Sequence, residues 1–133
     1  MKTINILRIS LLLFLPFTSC KKESFGDRLV GKWQLKEMYN ATLQDFSWSN
    51  VPAPNQLIRE FKTNGNYKES FPAGSFLLQC SGTYSIQSDK EIKISTDCYS
   101  GPNDLEISIS NNVMTLTYMT REGEIKEKLV KAE

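Results

Sequence analysis

The sequence has no histidine and only three cysteines in 133 residues. Without imidazole, neither a Ser-His-Asp nor a Cys-His nucleophilic site can be built, and every histidine-based metal site is excluded. A glycine-rich phosphate loop of the G-x-x-x-x-G-K-S/T form is also missing. Carboxylates are spread one or two per extended segment and fall mostly on the polar side of the alternation, which sets up no acid/base pair for hydrolysis. Neither sign of charge dominates: 16 basic residues stand against 15 acidic ones, so nothing in the balance draws the chain to nucleic acid. The apolar run from Ile9 to Phe17 is broken by Pro16 and is shorter than the ~18 residues that a membrane-spanning helix requires. The expectation is a non-enzymatic protein with no cofactor and no metal. No repeat or low-complexity tract suggests a second folded domain.

What is present is organised around residues 80–98, CSGTYSIQSDKEIKISTDC. A β-hairpin with its turn at Ser88-Asp89-Lys90 sets Gln87 opposite Glu91, Ile86 opposite Ile92, Tyr84 opposite Ile94, Gly82 opposite Thr96 and Cys80 opposite Cys98. One register thus aligns the apolar residues and brings two thiols together. A Cys80–Cys98 disulfide is expected, with two buried free thiols as the alternative.

The first residues read as an export signal over 1–19, with Lys2 and Arg8 as the basic start and Phe17-Thr18-Ser19 leading into Cys20. The sequence Phe17-Thr18-Ser19-Cys20 resembles a bacterial lipobox, with Phe17 where leucine is more usual. That resemblance implies cleavage before Cys20 and a diacylglycerol on its thiol, which would hold the protein on a membrane. Residues 20–28 then form the lipidated N-terminus and tether, and 29–133 a single folded domain. The cleaved chain would carry 14 basic and 15 acidic residues, a formal charge of −1. The implied location is the cell envelope, lipid-anchored at the outer membrane on its periplasmic or surface face.

The rest of the chain alternates apolar and polar residues with period two, the mark of strands with one buried face. The first strand, around residues 29–39, places Gly31, Trp33 and Leu35 on one side. Its Gly31-Lys32-Trp33 resembles the G-x-W of the lipocalin superfamily, which implies that Trp33 plugs one end of a barrel and that Gly31 permits close backbone approach. Phe61 to Tyr67 reads F-x-x-N-G-x-Y and resembles the second hairpin of lipocalin-like domains in exported lipoproteins of the Bacteroidetes type. A three-residue turn there opposes Phe61 with Tyr67, Arg59 with Glu69 and Leu57 with Phe71. Further on, Asn111-Asn112 turns Ile107 and Ile109 onto Leu116 and Met114. A turn at Glu122-Gly123 opposes Tyr118 with Glu127 and Leu116 with Leu129. The resulting fold class is all-β, an eight-stranded antiparallel up-and-down barrel of lipocalin-like form with no helix beyond one turn around Ser24 to Arg28.

Two features of this barrel bear on function. Residues 40–56, with Pro52 and Pro54, form a long connection containing Leu43, Phe46 and Trp48, which serve either as a lid over a ligand or as a plug completing the core. Arg59, Glu69 and Glu127 face inward, where buried charge is costly unless paired. They are either a polar anchor for a ligand or an internal ion pair. The candidate ligand-binding residues are Trp33, Arg59, Phe61, Tyr67, Glu69, Tyr84, Tyr118 and Glu127. The first functional expectation is a membrane-anchored monomeric barrel that binds a small apolar or amphipathic molecule. The second is a filled barrel whose loops, residues 40–56 and 72–75, contact an envelope protein or inhibit a protease.

Overall fold

The computed structural model describes residues 22–41, 47–101 and 103–133. Among these residues a short helix α1 (Phe25–Leu29) precedes nine strands: β1 (Gly31–Asn40), β2 (Trp48–Asn50), β3 (Ile58–Phe61), β4 (Asn66–Ala73), β5 (Phe76–Ser88), β6 (Glu91–Thr96), β7 (Asn103–Ser110), β8 (Val113–Thr120) and β9 (Gly123–Lys131). They lie in one antiparallel sheet in the order β2-β1-β3-β4-β5-β6-β7-β8-β9, and β1 pairs with β9 as well. That last pairing closes the sheet, so the wall is an eight-stranded barrel of β1 and β3–β9 and the edge problem of an open sheet disappears. No helix among the described residues is long and apolar enough to cross a membrane.

Each tight turn follows its local chemistry. Phe61 pairs with Tyr67 and Arg59 with Glu69 across the β3–β4 hairpin, as the three-residue turn at Thr63-Asn64-Gly65 requires. Ile109 pairs with Met114 and Ile107 with Leu116 around Asn111, whose φ of 53 suits the left-handed position of the turn. Between β5 and β6, Ile86 meets Ile92, Tyr84 meets Ile94 and Gly82 meets Thr96. The turn itself is tighter than the expected Ser88-Asp89-Lys90: Ser88 pairs with Glu91, and the spare residue Gln87 is taken up as a bulge. A two-residue turn matches strand twist better, and a bulge absorbs the odd residue without turning the apolar face outward. The β8–β9 register also differs, with Tyr118 opposite Ile125 and Leu116 opposite Glu127. The turn residues are Arg121 and Glu122, and Thr120 pairs with Gly123 while its hydroxyl bonds the Gly123 carbonyl at 2.9 Å. A slip of two residues keeps every side chain on its expected face, so Glu127 still points inward.

The connection after β1 is partly a strand. β3 covers residues 31–34 of β1, and β2 pairs with residues 37–39 further along the same edge. Trp48 sits on the outside of the wall, with its ring 5.9 Å from that of Tyr39 and the Lys128 Nζ 4.5 Å from its centroid. It is therefore neither lid nor plug. Leu43 and Phe46 lie outside the described residues. Val51 does pack against the core.

One end of the barrel is closed. Ser24 and Asp27 form a reciprocal capping box that starts α1, and the helix carries Leu29, fully buried, and Phe25 onto the core. Trp33 is fully buried beneath it and donates its indole N–H to the Leu29 carbonyl at 2.8 Å. Gly31 admits a side chain rather than backbone: a Cβ there would lie 3.0 Å from Cε of Lys131, which runs across the Trp33 ring to the Arg28 carbonyl.

Cys80 and Cys98 are bonded, with Cα atoms 5.6 Å apart. Two residues along, a Cβ on Gly82 would fall 1.8 Å from the Ser95 carbonyl oxygen, so only glycine lets β5 and β6 approach this closely beside the bridge. Replacing both cysteines by serine is expected to lower stability by about 3 kcal/mol, a fall in melting temperature on the order of 10 °C or more for a domain of this size. Gly82→Ala should cost about 1–3 kcal/mol by overpacking. Thermal unfolding followed by circular dichroism reads both, and a shift of under about 2 °C in either variant would contradict this account of the β5–β6 seam.

Candidate functional site

The interior divides into two halves. Toward the α1 end it is filled: Trp33, Phe61, Tyr67, Met114, Leu116 and Leu129 are all essentially inaccessible. Phe61 lies 5.1 Å from both Tyr67 and Tyr84, edge-on to the latter, and the Tyr84 hydroxyl donates to the Lys62 carbonyl at 2.7 Å. Trp33, Phe61 and Tyr84 thus serve as packing at the closed end.

Toward the other end the wall splits. β7 and β8 pair only from Glu106–Thr117 to Ser110–Val113, while the first residues of β7 turn to β6, pairing Ile94 with Asn103 and Ile92 with Leu105. A cleft of about 670 Å³ follows this split, lined among others by Ile94, Tyr99, Leu105, Thr117, Tyr118 and Met119, and it reaches Arg59 and Glu69 inside the barrel. Its size falls within the range of small-molecule sites.

At its base lies a buried charge cluster drawn from three strands that are far apart in sequence. Arg59 on β3, Glu69 on β4 and Glu127 on β9 are 8%, 1% and 3% exposed. The guanidinium grips Glu127 with two parallel bonds, Nε to Oε2 at 3.0 Å and Nη2 to Oε1 at 2.9 Å, and reaches Glu69 Oε2 through Nη1 at 2.7 Å. Three tyrosines complete the shell. Tyr67 donates to Glu69 Oε2 at 2.7 Å, Tyr99 to Glu69 Oε1 at 2.7 Å and Tyr118 to Glu127 Oε1 at 3.0 Å. All four carboxylate oxygens therefore accept, as ionised carboxylates do.

The titration behaviour of the cluster follows from burial set against charge. Burial alone would lower the Arg59 pKa, but the carboxylates of Glu127 and Glu69 outweigh it and hold the group well above its ordinary value. Burial, with Glu69 alongside, pushes the Tyr67 hydroxyl far up, and burial with Glu127 does the same to Tyr118. Tyr99, less covered, is pushed up to about 12, first by burial and then by its bond to Glu69. Each tyrosine stays a neutral donor at physiological pH, so the cluster is a fixed array of one cation, two anions and three hydroxyls.

Of the eight residues that sequence reasoning proposed, five meet here: Arg59, Tyr67, Glu69, Tyr118 and Glu127. The split also brings in Tyr99, Ile94 and Leu105. Ile94 and Leu105 were legible as inward-facing residues, whereas Tyr99 lies in a turn after Cys98 where alternation gives no signal. The sequence hinted at it only through the disulfide next door, which fixes that turn against β4 and β5.

No family model matches the chain, and no curated protein does. Among solved structures, a Schistosoma mansoni fatty acid binding protein in complex with arachidonic acid resembles it, with a TM-score of 0.51 and 9% identity over 83% of this chain and 100% of that one. At that identity the likeness is one of fold, and the fold is a calycin- or lipocalin-like barrel.

Proposed function

We propose that this chain is a lipid-anchored envelope protein whose barrel binds a small apolar or amphipathic molecule without transforming it. The observation that carries this reading is the junction of the wall cleft with the buried Arg59–Glu69–Glu127 cluster. A cleft that sets Ile94, Leu105 and Met119 beside fixed polar groups suits a molecule with a tail and a head. The solved barrel of like fold was captured with arachidonic acid, which supports an apolar or amphipathic ligand here.

Cys20 lies outside the described residues and stands four positions before Ser24, the cap of α1. A tether of that length spans at most about 14 Å. Lipidation at Cys20 would thus hold the closed end of the barrel toward the membrane and leave the cleft facing away from it. The outer membrane, on its periplasmic or surface face, is the location that the export signal and lipobox support.

A second reading rests on a different observation. The tip of the β4–β5 hairpin exposes Phe76, Leu77 and Leu78 at 75%, 61% and 47%, large apolar side chains of the kind that mark contact with another protein. Under that reading the barrel is an interaction module and the cleft is incidental.

Native mass spectrometry of the protein isolated from its own cells separates the two. The ligand-binding reading expects a retained small molecule that is lost in Leu105→Trp, where the larger ring fills the cleft, and kept in Phe76→Ser/Leu77→Ser. Absence of any retained mass, with no thermal shift on adding amphiphiles, would overturn it. Growth with a labelled fatty acid should mark the wild-type chain and leave Cys20→Ser unlabelled; equal labelling of both would remove the anchor.

A further inference from the structure

The charge balance of the site selects among amphiphiles, an inference that rests on the ligand-binding reading above. Inside the barrel one guanidinium faces two carboxylates, and all three are under 9% exposed. The Arg59 donors are already committed to Glu127, Glu69 and Tyr67. An entering carboxylate could win Arg59 only by stranding one of these acids without its counter-charge, and breaking a buried pair in that way is strongly unfavourable.

The lining of the cleft extends the imbalance. Among the described residues Arg59 is its one basic residue, set against Glu69, Glu91, Asp104, Glu106 and Glu124. Lys93 answers Asp104 at 3.3 Å and Lys126 answers Glu124 at 3.0 Å, both at exposed positions where such pairs are weak. Glu91 and Glu106 stand directly opposite each other across β6 and β7, an arrangement of like charges that destabilises a strand pair. Among the described residues neither has a salt-bridge partner. The site therefore combines a barrel interior of net charge −1 with two opposed carboxylates at its entrance, and the shared remedy for both is a positive charge.

We propose that the cleft takes a cationic amphiphile, an ammonium group on an apolar tail, with the head among the mouth carboxylates and the tail against Ile94, Leu105 and Met119. A fatty-acid anion is disfavoured, although the barrel shares its fold with a protein captured with one.

Isothermal titration of the protein with dodecylamine, dodecanol and dodecanoate, each below its micelle concentration, tests this with the tail held constant. The amine should bind with one-to-one stoichiometry and at least roughly tenfold tighter than the acid, with the alcohol between them. The amine-over-acid preference should narrow in Glu91→Gln/Glu106→Gln and with added salt. Dodecanoate binding as tightly as dodecanol, or dodecanol as tightly as the amine, would overturn the charge selection and leave the ligand-binding reading standing. Failure of all three to bind would remove that reading and this one with it.

Discussion

A guanidinium held between two carboxylates inside a β-barrel is the constraint on which the rest of the structure turns. Each member is costly to bury alone, and the three come from β3, β4 and β9, so they meet only when the barrel closes with β1 seated between β3 and β9. Burying the cluster is tolerable because the geometry is full: every carboxylate oxygen has a donor, and three tyrosines supply those that Arg59 does not. The same fullness makes the cluster a poor trap for an additional anion and a fixed electrostatic floor for the cleft above it.

The barrel places packing and access at opposite ends. α1 and Trp33 seal one end, where the core side chains have no exposure. At the other, β7 leaves β8 for β6 and opens the wall. The disulfide stands beside this opening. It ties the start of the turn that carries Tyr99 to β5, and Tyr99 in turn bonds Glu69 on β4. The covalent seam and the polar cluster therefore reinforce each other through one hydroxyl, and a chain with so few residues to bury gains rigidity at its open end where packing is thinnest.

Much of this was legible in the sequence, because period-two alternation fixes faces even where it leaves register open. Pairing Arg59 with Glu69 followed from the Asn64-Gly65 turn, and the inward direction of Glu127 survived a two-residue error in the β8–β9 turn since parity was unchanged. The Gln87 bulge escaped because a three-residue turn and a two-residue turn plus bulge satisfy the same alternation. β2 escaped for another reason: its three residues carry no period, and Trp48 suggested burial although it lies outside against Tyr39 and Lys128. The split between β7 and β8 left no trace in either strand, since each alternates regularly and only their divergence in space creates the cleft.

The central claim is that Arg59 holds two buried carboxylates at the base of the cleft, and denaturant unfolding of Arg59→Met tests it most directly. Removing the cation leaves Glu69 and Glu127 buried, close and uncompensated, so the account predicts a loss of about 3–5 kcal/mol. Most of that loss should be recovered when both acids are replaced as well, in Arg59→Met/Glu69→Gln/Glu127→Gln. A single-variant loss within about 0.5 kcal/mol, the scale of an ordinary surface substitution, would contradict the account.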